Sequence, residues 1–250
     1  MLRGRSGADL GGPQRRRRQL ARHPDRAAVA ATLARHRLQP GYFLFVGTLQ
    51  PRKNVERVLG AYLALPAAVR AERALVIVGA AGWRCETLLR RIAAAQADGA
   101  RVIWLDKLGE AAALRHVYAG AGVFVFPSLY EGFGIPVLEA FASNVPVVTS
   151  STTSLPEVSA GAALEVDPLD EGAIGAAMLA PVRDDALRER CIRAGPRPRQ
   201  RADLARHRPC HRRRVPQGTG ALAPFSPTLT CASFTSTRPI TRTPWAASSR

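Results

Sequence analysis

Lysine is almost missing from this 250-residue chain: among 36 basic residues only Lys53 and Lys107 are lysines, and arginine supplies the rest. Cysteine is sparse too. Cys85, Cys191, Cys210 and Cys231 stand without paired spacing, which indicates neither a disulfide framework nor a zinc site, and "HRPCH" (207–211) lacks a partner pair. No apolar run approaches the roughly 18 residues of a membrane-spanning helix. The first residues carry arginines but no apolar stretch of the secretory kind. The expectation is a cytoplasmic protein, at most peripheral at the inner membrane surface. There is no Gly-x-Gly-x-x-Gly turn after the first strand and no Walker phosphate loop, so a bound nucleotide would need another arrangement. Histidine offers no catalytic centre: His116 falls on a predicted helix, and His23 and His36 fall in the leader.

What the chain has in excess is positive charge, and its distribution matters more than its sum. The net charge of +17 points at first to a nucleic-acid binder. Residues 1–40 carry ten Arg and two acids, residues 195–250 eleven Arg and one acid, and residues 41–194 fifteen basic against sixteen acidic residues. The middle is therefore nearly neutral. The tails lack the interleaved aromatics and reading modules of nucleic-acid proteins. This divides the chain into a basic, mostly irregular leader (1–40), a globular domain (41–194) and an irregular Arg/Pro/Ser-rich tail (195–250). In the leader, "RAAVAATLARHRL" (26–38) suits one short helix. The abrupt loss of apolar pattern at Gly195 is what a shifted reading frame produces, and such a segment buries too little surface to offset its ordering entropy. A fragment of residues 41–194 is expected to suffice for ligand binding.

From Gly41 onward, short apolar runs alternate with amphipathic ones. "YFLFV" (42–46), "ALVIVG" (74–79), "RVIWL" (101–105), "GVFVF" (122–126), "VPVVT" (145–149) and "AALEV" (162–166) read as strands. Helices are expected at 55–65, 84–97, 110–121, after "GFG" near 135, and at 170–180 and 184–194, with Asn54 as a cap. The strands are continuous Val/Ile/Leu/Phe runs separated by helices. That pattern predicts an α/β fold with a doubly wound parallel sheet, Rossmann-like, whose ligands sit beyond the carboxyl ends of the strands.

Two constellations fall on those ends. In "GTLQPRKN" (47–54), Gly47 permits close backbone approach beside Thr48, and Arg52 and Lys53 can converge on an anion. A solvated charged loop would look the same. In "PSLYEGFGIPVLEA" (127–140), Gly132 and Gly134 flank Phe133 where a loop enters a helix, so free amides and the positive helix end can face a diphosphate. Ile135 and Pro136 open the helix, where no amide donor is needed. Glu131 and Glu139, eight positions apart, can accept hydrogen bonds from vicinal hydroxyls. The structural alternative makes Glu131 a helix-dipole partner and Glu139 a solvent-facing residue.

"FLFVGTLQPRKN", "ALVIVGAAGW", "FVFPSLYEGFGIPVLEAFAS" and "PVVTSSTTSLPEV" together resemble the nucleotide-sugar half of a GT-B glycosyltransferase. The resemblance is to the retaining glycosyl transferases group 1, which include bacterial mannosyltransferases, and it covers about 41–194. It implies that Glu131 contacts donor-sugar hydroxyls and Glu139 the ribose. It further implies that amides near Gly132, Phe133, Gly134 and Ile135 face the diphosphate, and that Arg52 and Lys53 stabilise the leaving nucleoside diphosphate. Ser154 and Glu157 lie in the loop bordering nucleobase and sugar. Asn144 stands where the family has Gly and suits the same left-handed turn.

The implied reaction is transfer of a sugar from GDP-mannose or a UDP-sugar to a lipid-linked or polysaccharide glycan of the cell envelope, with no cofactor and no metal. Arg52, Lys53 and Glu131 carry the catalytic roles, and Gly47, Thr48 and Ser154 join the donor contacts. The acceptor-binding half of such an enzyme is not among these residues, so a nucleotide-sugar-binding remnant without turnover is the alternative. A nucleic-acid-binding protein is a lesser one, and a nucleotide-sugar epimerase would need acid/base groups that are absent.

Overall fold

In the computed structural model, described for residues 24–109 and 111–195, six strands form one all-parallel sheet. The strands are β1 (Tyr42–Val46), β2 (Leu75–Val78), β3 (Val102–Leu105), β4 (Ala121–Phe126), β5 (Val147–Ser150) and β6 (Leu164–Val166), in the order β3-β2-β1-β4-β5-β6. Every residue of β1, β2, β4 and β5 is buried. Continuous apolar runs are what a strand covered on both faces requires. The aromatic centre of the core is a stack: Phe126 lies 5.8 Å from Phe45 and 5.6 Å from Phe124, centroid to centroid. Burying such side chains stabilises the fold by roughly 1.5–3 kcal/mol each.

Helices cross between the strands: α2 (Val55–Leu63) and α3 (Ala67–Glu72) after β1, α4 (Glu86–Ala97) after β2, α5 (Ala111–Gly120) after β3, α6 (Ile135–Ala142) after β4 and α7 (Leu155–Ser159) after β5. The chain closes with α8 (Glu171–Arg183) and α9 (Asp185–Ala194), whose starts are capped by the Asp170 and Asp184 carboxylates at 2.9 Å from the Ala173 and Leu187 amides. The short α3 and α7 were not expected from the sequence.

One helix precedes the sheet. α1 (Arg26–Arg35) packs against α5, where Thr32 Oγ1 pairs with His116 Nδ1 at 2.7 Å. Leu33 and Leu38 are buried with the core. His116 is thus a structural residue. Asn144 adopts φ 56°, the left-handed turn expected of it. Cys85 and Cys191 are free and buried. The "HRPCH" segment and the tail from residue 196 lie outside the described residues.

Candidate functional site

The strand order reverses between β1 and β4: β2 and β3 lie on one side, β5 and β6 on the other. A crevice opens at such a switch point because the two connections leave in opposite directions. The loops beyond β1 and β4 are those that carry the two constellations. They are joined by a backbone hydrogen bond from Leu129 N to Arg52 O at 2.8 Å.

Geometry at β1 depends on two glycines. A side chain on Gly79 would place its Cβ 2.1 Å from the Gly47 carbonyl oxygen, so the β1 and β2 ends can approach only with glycine there. Gly47 in turn lies beside the Lys53 side chain. Pro51–Lys53 then form a 3₁₀ turn, and Asn54 reverses the chain in the left-handed region before α2. Asn54 occupies the cap position, but its side chain makes no capping bond. It is directed elsewhere, because its amide finds two buried carbonyls.

The cations expected to meet a diphosphate converge first on a carboxylate. Lys53 Nζ donates to Glu131 Oε1 at 2.5 Å, and Arg52 Nη1 reaches the same oxygen at 3.0 Å. Lys53 also lies 4.6 Å from the Phe126 ring centroid, a cation–π contact. Arg52 is further fixed by the Tyr130 carbonyl and the Gln50 amide oxygen, and its Nη2 takes no partner among the described residues. The Arg52 side chain is 42% exposed, that of Lys53 9%. One cation is therefore a buried strut and the other is half in solvent.

Gly132 and Phe133 lead into α6, and Gly134 occupies its cap with φ 70°. No described residue accepts a hydrogen bond from the amides of Gly132, Phe133, Gly134 or Ile135. A Cβ on Gly132 would meet nothing within 4 Å, whereas one on Gly134 would lie 2.7 Å from Leu155 Cδ2. Thr48 is exposed, as are Tyr130 and Ile135. Ser154 is committed within the protein, since its hydroxyl donates to the Glu131 carbonyl at 3.0 Å. Glu157 is exposed on α7.

Glu139 is half-buried on α6. Burial pushes its carboxyl above the ordinary value, and the Tyr118 hydroxyl of α5 partly offsets the rise. Burial likewise raises the Tyr118 hydroxyl, with the Glu139 charge adding to it. That hydroxyl is fully enclosed and closes no hydrogen bond of ordinary geometry. Glu139 is not the solvent-facing residue of the structural alternative.

Two clefts flank the β1 loop. One, of about 340 Å³, lies between Val46, Gly47, Val78, Gly79 and Leu108. The other, of about 220 Å³, is lined by Gln50, Arg57, Arg84 and Leu129 among others.

A six-stranded parallel sheet whose order reverses between β1 and β4, with a crevice at that point, defines a Rossmann-like domain. The chain belongs to the family described as Glycosyl transferases group 1, whose profile matches residues 34–197. It is 43% identical over 151 residues to the O-antigen chain mannosyltransferase B of Escherichia coli, an overlap of 60% of this chain and 39% of that protein. The chain thus spans well under half of that relative. Its fold matches the C-terminal domain of a glycosyl transferase group 1 family protein from Francisella tularensis with a TM-score of 0.59 at 19% identity, covering 75% of this chain and 95% of the other. An α,α-trehalose-phosphate synthase from Burkholderia vietnamiensis gives 0.59 at 18% identity, over 76% and 46% of the two chains. The fold is that of one half of a GT-B glycosyltransferase.

Proposed function

We propose that this domain binds a nucleoside-diphosphate sugar and forms the donor side of a retaining glycosyltransferase that transfers mannose in polysaccharide or cell-envelope glycan synthesis. The observation that carries the reading is the Arg52–Lys53–Glu131 cluster set beside the unspent amides of Gly132–Ile135, all at the switch point between β1 and β4. The relation to an O-antigen mannosyltransferase supports mannose as the sugar.

In this reading the departing diphosphate gathers negative charge as the glycosidic bond breaks. Arg52, through its unpartnered Nη2, and the amides at the start of α6 stabilise that charge without reorganising. Lys53 adds its field from beneath and holds Glu131 so that Oε2, which takes no hydrogen bond from the described residues, can accept from sugar hydroxyls. Glu139 accepts from the ribose. The base fits the apolar cleft of about 340 Å³ beside Gly47 and Gly79 better than the 150–158 loop, whose Ser154 hydroxyl is already used. The positive charge comes from side chains and helix amides, and no metal enters the proposal.

Calorimetric titration with GDP, UDP, GDP-mannose and UDP-glucose tests the proposal. Saturable binding of one nucleotide family, lost in Glu139→Ala, is the expected result; affinity unchanged in Glu139→Ala, Arg52→Ala and Lys53→Ala alike would refute the site.

A further inference from the structure

We infer that Asn54 is a positioning residue: its side-chain amide ties the carboxyl ends of β1, β4 and β6 together and so fixes the adjacent Lys53 against Glu131. The inference rests on the donor-site reading only for its functional consequence, since the tie itself is geometric.

Asn54 is 3% exposed and sits one residue beyond Lys53. Its Nδ2 donates to the Pro127 carbonyl at 2.9 Å, just past β4, and to the Pro168 carbonyl at 2.6 Å, just past β6. Both amide hydrogens are therefore used, and by strand ends that are not adjacent in the sheet. The Arg57 guanidinium donates to Asn54 Oδ1 at 2.9 Å, which fixes the amide so that the nitrogen faces the two carbonyls. The backbone at Asn54 is left-handed, φ 60° and ψ 28°. Glycine satisfies that conformation better than any other residue, so conformation alone does not account for asparagine. What asparagine adds is two donors in a place where two buried carbonyls would otherwise lack one.

The consequence falls on Lys53. Pro127 and Glu131 belong to the same loop after β4, and Lys53 and Asn54 to the same loop after β1. Holding Asn54 to Pro127 sets the distance between Lys53 Nζ and Glu131 Oε1, assisted by the Leu129–Arg52 backbone bond. A prepositioned cation is worth more to a developing charge than one that must reorganise.

The scarcity of lysine makes this measurable. Lys53 and Lys107 are the only two in the chain, and Lys107 is exposed. In the full chain labelled with 13C,15N-lysine, side-chain correlation spectra contain two lysine signals, assigned with Lys107→Arg. The held Lys53 resonates apart from Lys107. Asn54→Gly keeps the left-handed turn and deletes the tie, and is expected to move the Lys53 signal at least half-way to that of Lys107 while the circular dichroism remains folded. Affinity for the nucleoside diphosphate that binds should fall about tenfold in the same variant. A Lys53 signal unmoved in folded Asn54→Gly, or coincident with Lys107 already in the unmutated chain, overturns the inference. If Asn54→Gly does not fold, Asn54→Asp is read in the same way, because it keeps the acceptor for Arg57 but cannot donate. Unfolding of both variants also overturns it, making Asn54 a residue of global stability. The lysine readout involves no nucleotide: a moved signal in a chain that binds no nucleotide refutes the donor reading and leaves the tie standing.

Discussion

Lys53 and Glu131 lie 78 positions apart and meet as an ion pair in which both side chains are 9% exposed. A pair this enclosed stabilises weakly while intact, because both charges have left water, but breaking it strands the remaining one. Lys53→Ala is therefore expected to cost about 3 kcal/mol, at the lower end for a broken buried pair because Arg52 still reaches the carboxylate. A urea midpoint lowered at constant slope is the check; a loss under about 1 kcal/mol would mean that the pair is effectively solvated.

Arg52→Ala should behave differently. With its side chain 42% exposed, its pairing is screened and its loss should cost under about 1 kcal/mol of stability. Its effect is expected on ligand affinity instead, a drop of about tenfold for a charge-assisted contact. Equal destabilisation by Arg52→Ala and Lys53→Ala would contradict the division into exposed contact and buried strut.

Glu139 predicts a pH dependence. Its carboxyl is raised from 4.5 chiefly by burial, so the folded chain holds that proton more tightly than the unfolded one. Stability therefore falls as pH rises from about 4.5 through the raised value, because the charge must be kept half-buried. Glu139→Gln removes the penalty and should be more stable than the unmutated chain at neutral pH, by about 2–4 °C in Tm per kcal/mol recovered, with the gain vanishing toward acid. The same variant should bind nucleotide less well. A lower Tm at pH 7 would show that the carboxylate is satisfied in the free protein.

Three glycines separate folding from binding. Gly132→Ala adds a methyl group to open space, so it should fold normally and lose ligand affinity if a diphosphate occupies that space. Gly134→Ala should cost about 1–2 kcal/mol because of its φ of 70° and the Leu155 contact. Gly79→Ala drives Cβ to 2.1 Å from a backbone oxygen and should fail to fold. Gly132→Ala with unchanged affinity would remove the loop from the site.

Chain length has a stability signature. Leu33 and Leu38 are buried on the core, each worth roughly 1.5–3 kcal/mol. A fragment of residues 41–195, which lacks both leucines, should melt well below one of residues 24–195. Equal melting would show that the docking of α1 contributes nothing.

Much of the architecture was legible in the sequence because a sheet covered on both faces demands unbroken apolar runs, and "YFLFV" and "GVFVF" have no polar residue to blur them. The positions of both loops were legible because each directly follows an unbroken apolar run, β1 or β4, and so falls at the carboxyl end of a strand. The α1 docking was harder to read: only Thr32 and Leu33 of that helix are buried, too few to set a period. Helices α3 and α7, of six and five residues, fall below the length at which a period shows. The convergence of Arg52 and Lys53 on Glu131, and the turn of Asn54 away from its cap toward Pro127 and Pro168, join residues more than 70 positions apart. Only the strand order brings them together.

The central claim is that the β1 and β4 loops form one nucleotide-sugar donor site, and calorimetry of the purified chain tests it most directly. Saturable binding of GDP and GDP-mannose, abolished in Glu139→Ala and weakened about tenfold in Arg52→Ala, is the predicted result. A folded chain with no heat of binding for GDP, UDP or their sugars, at concentrations well above those of a typical donor, would contradict it.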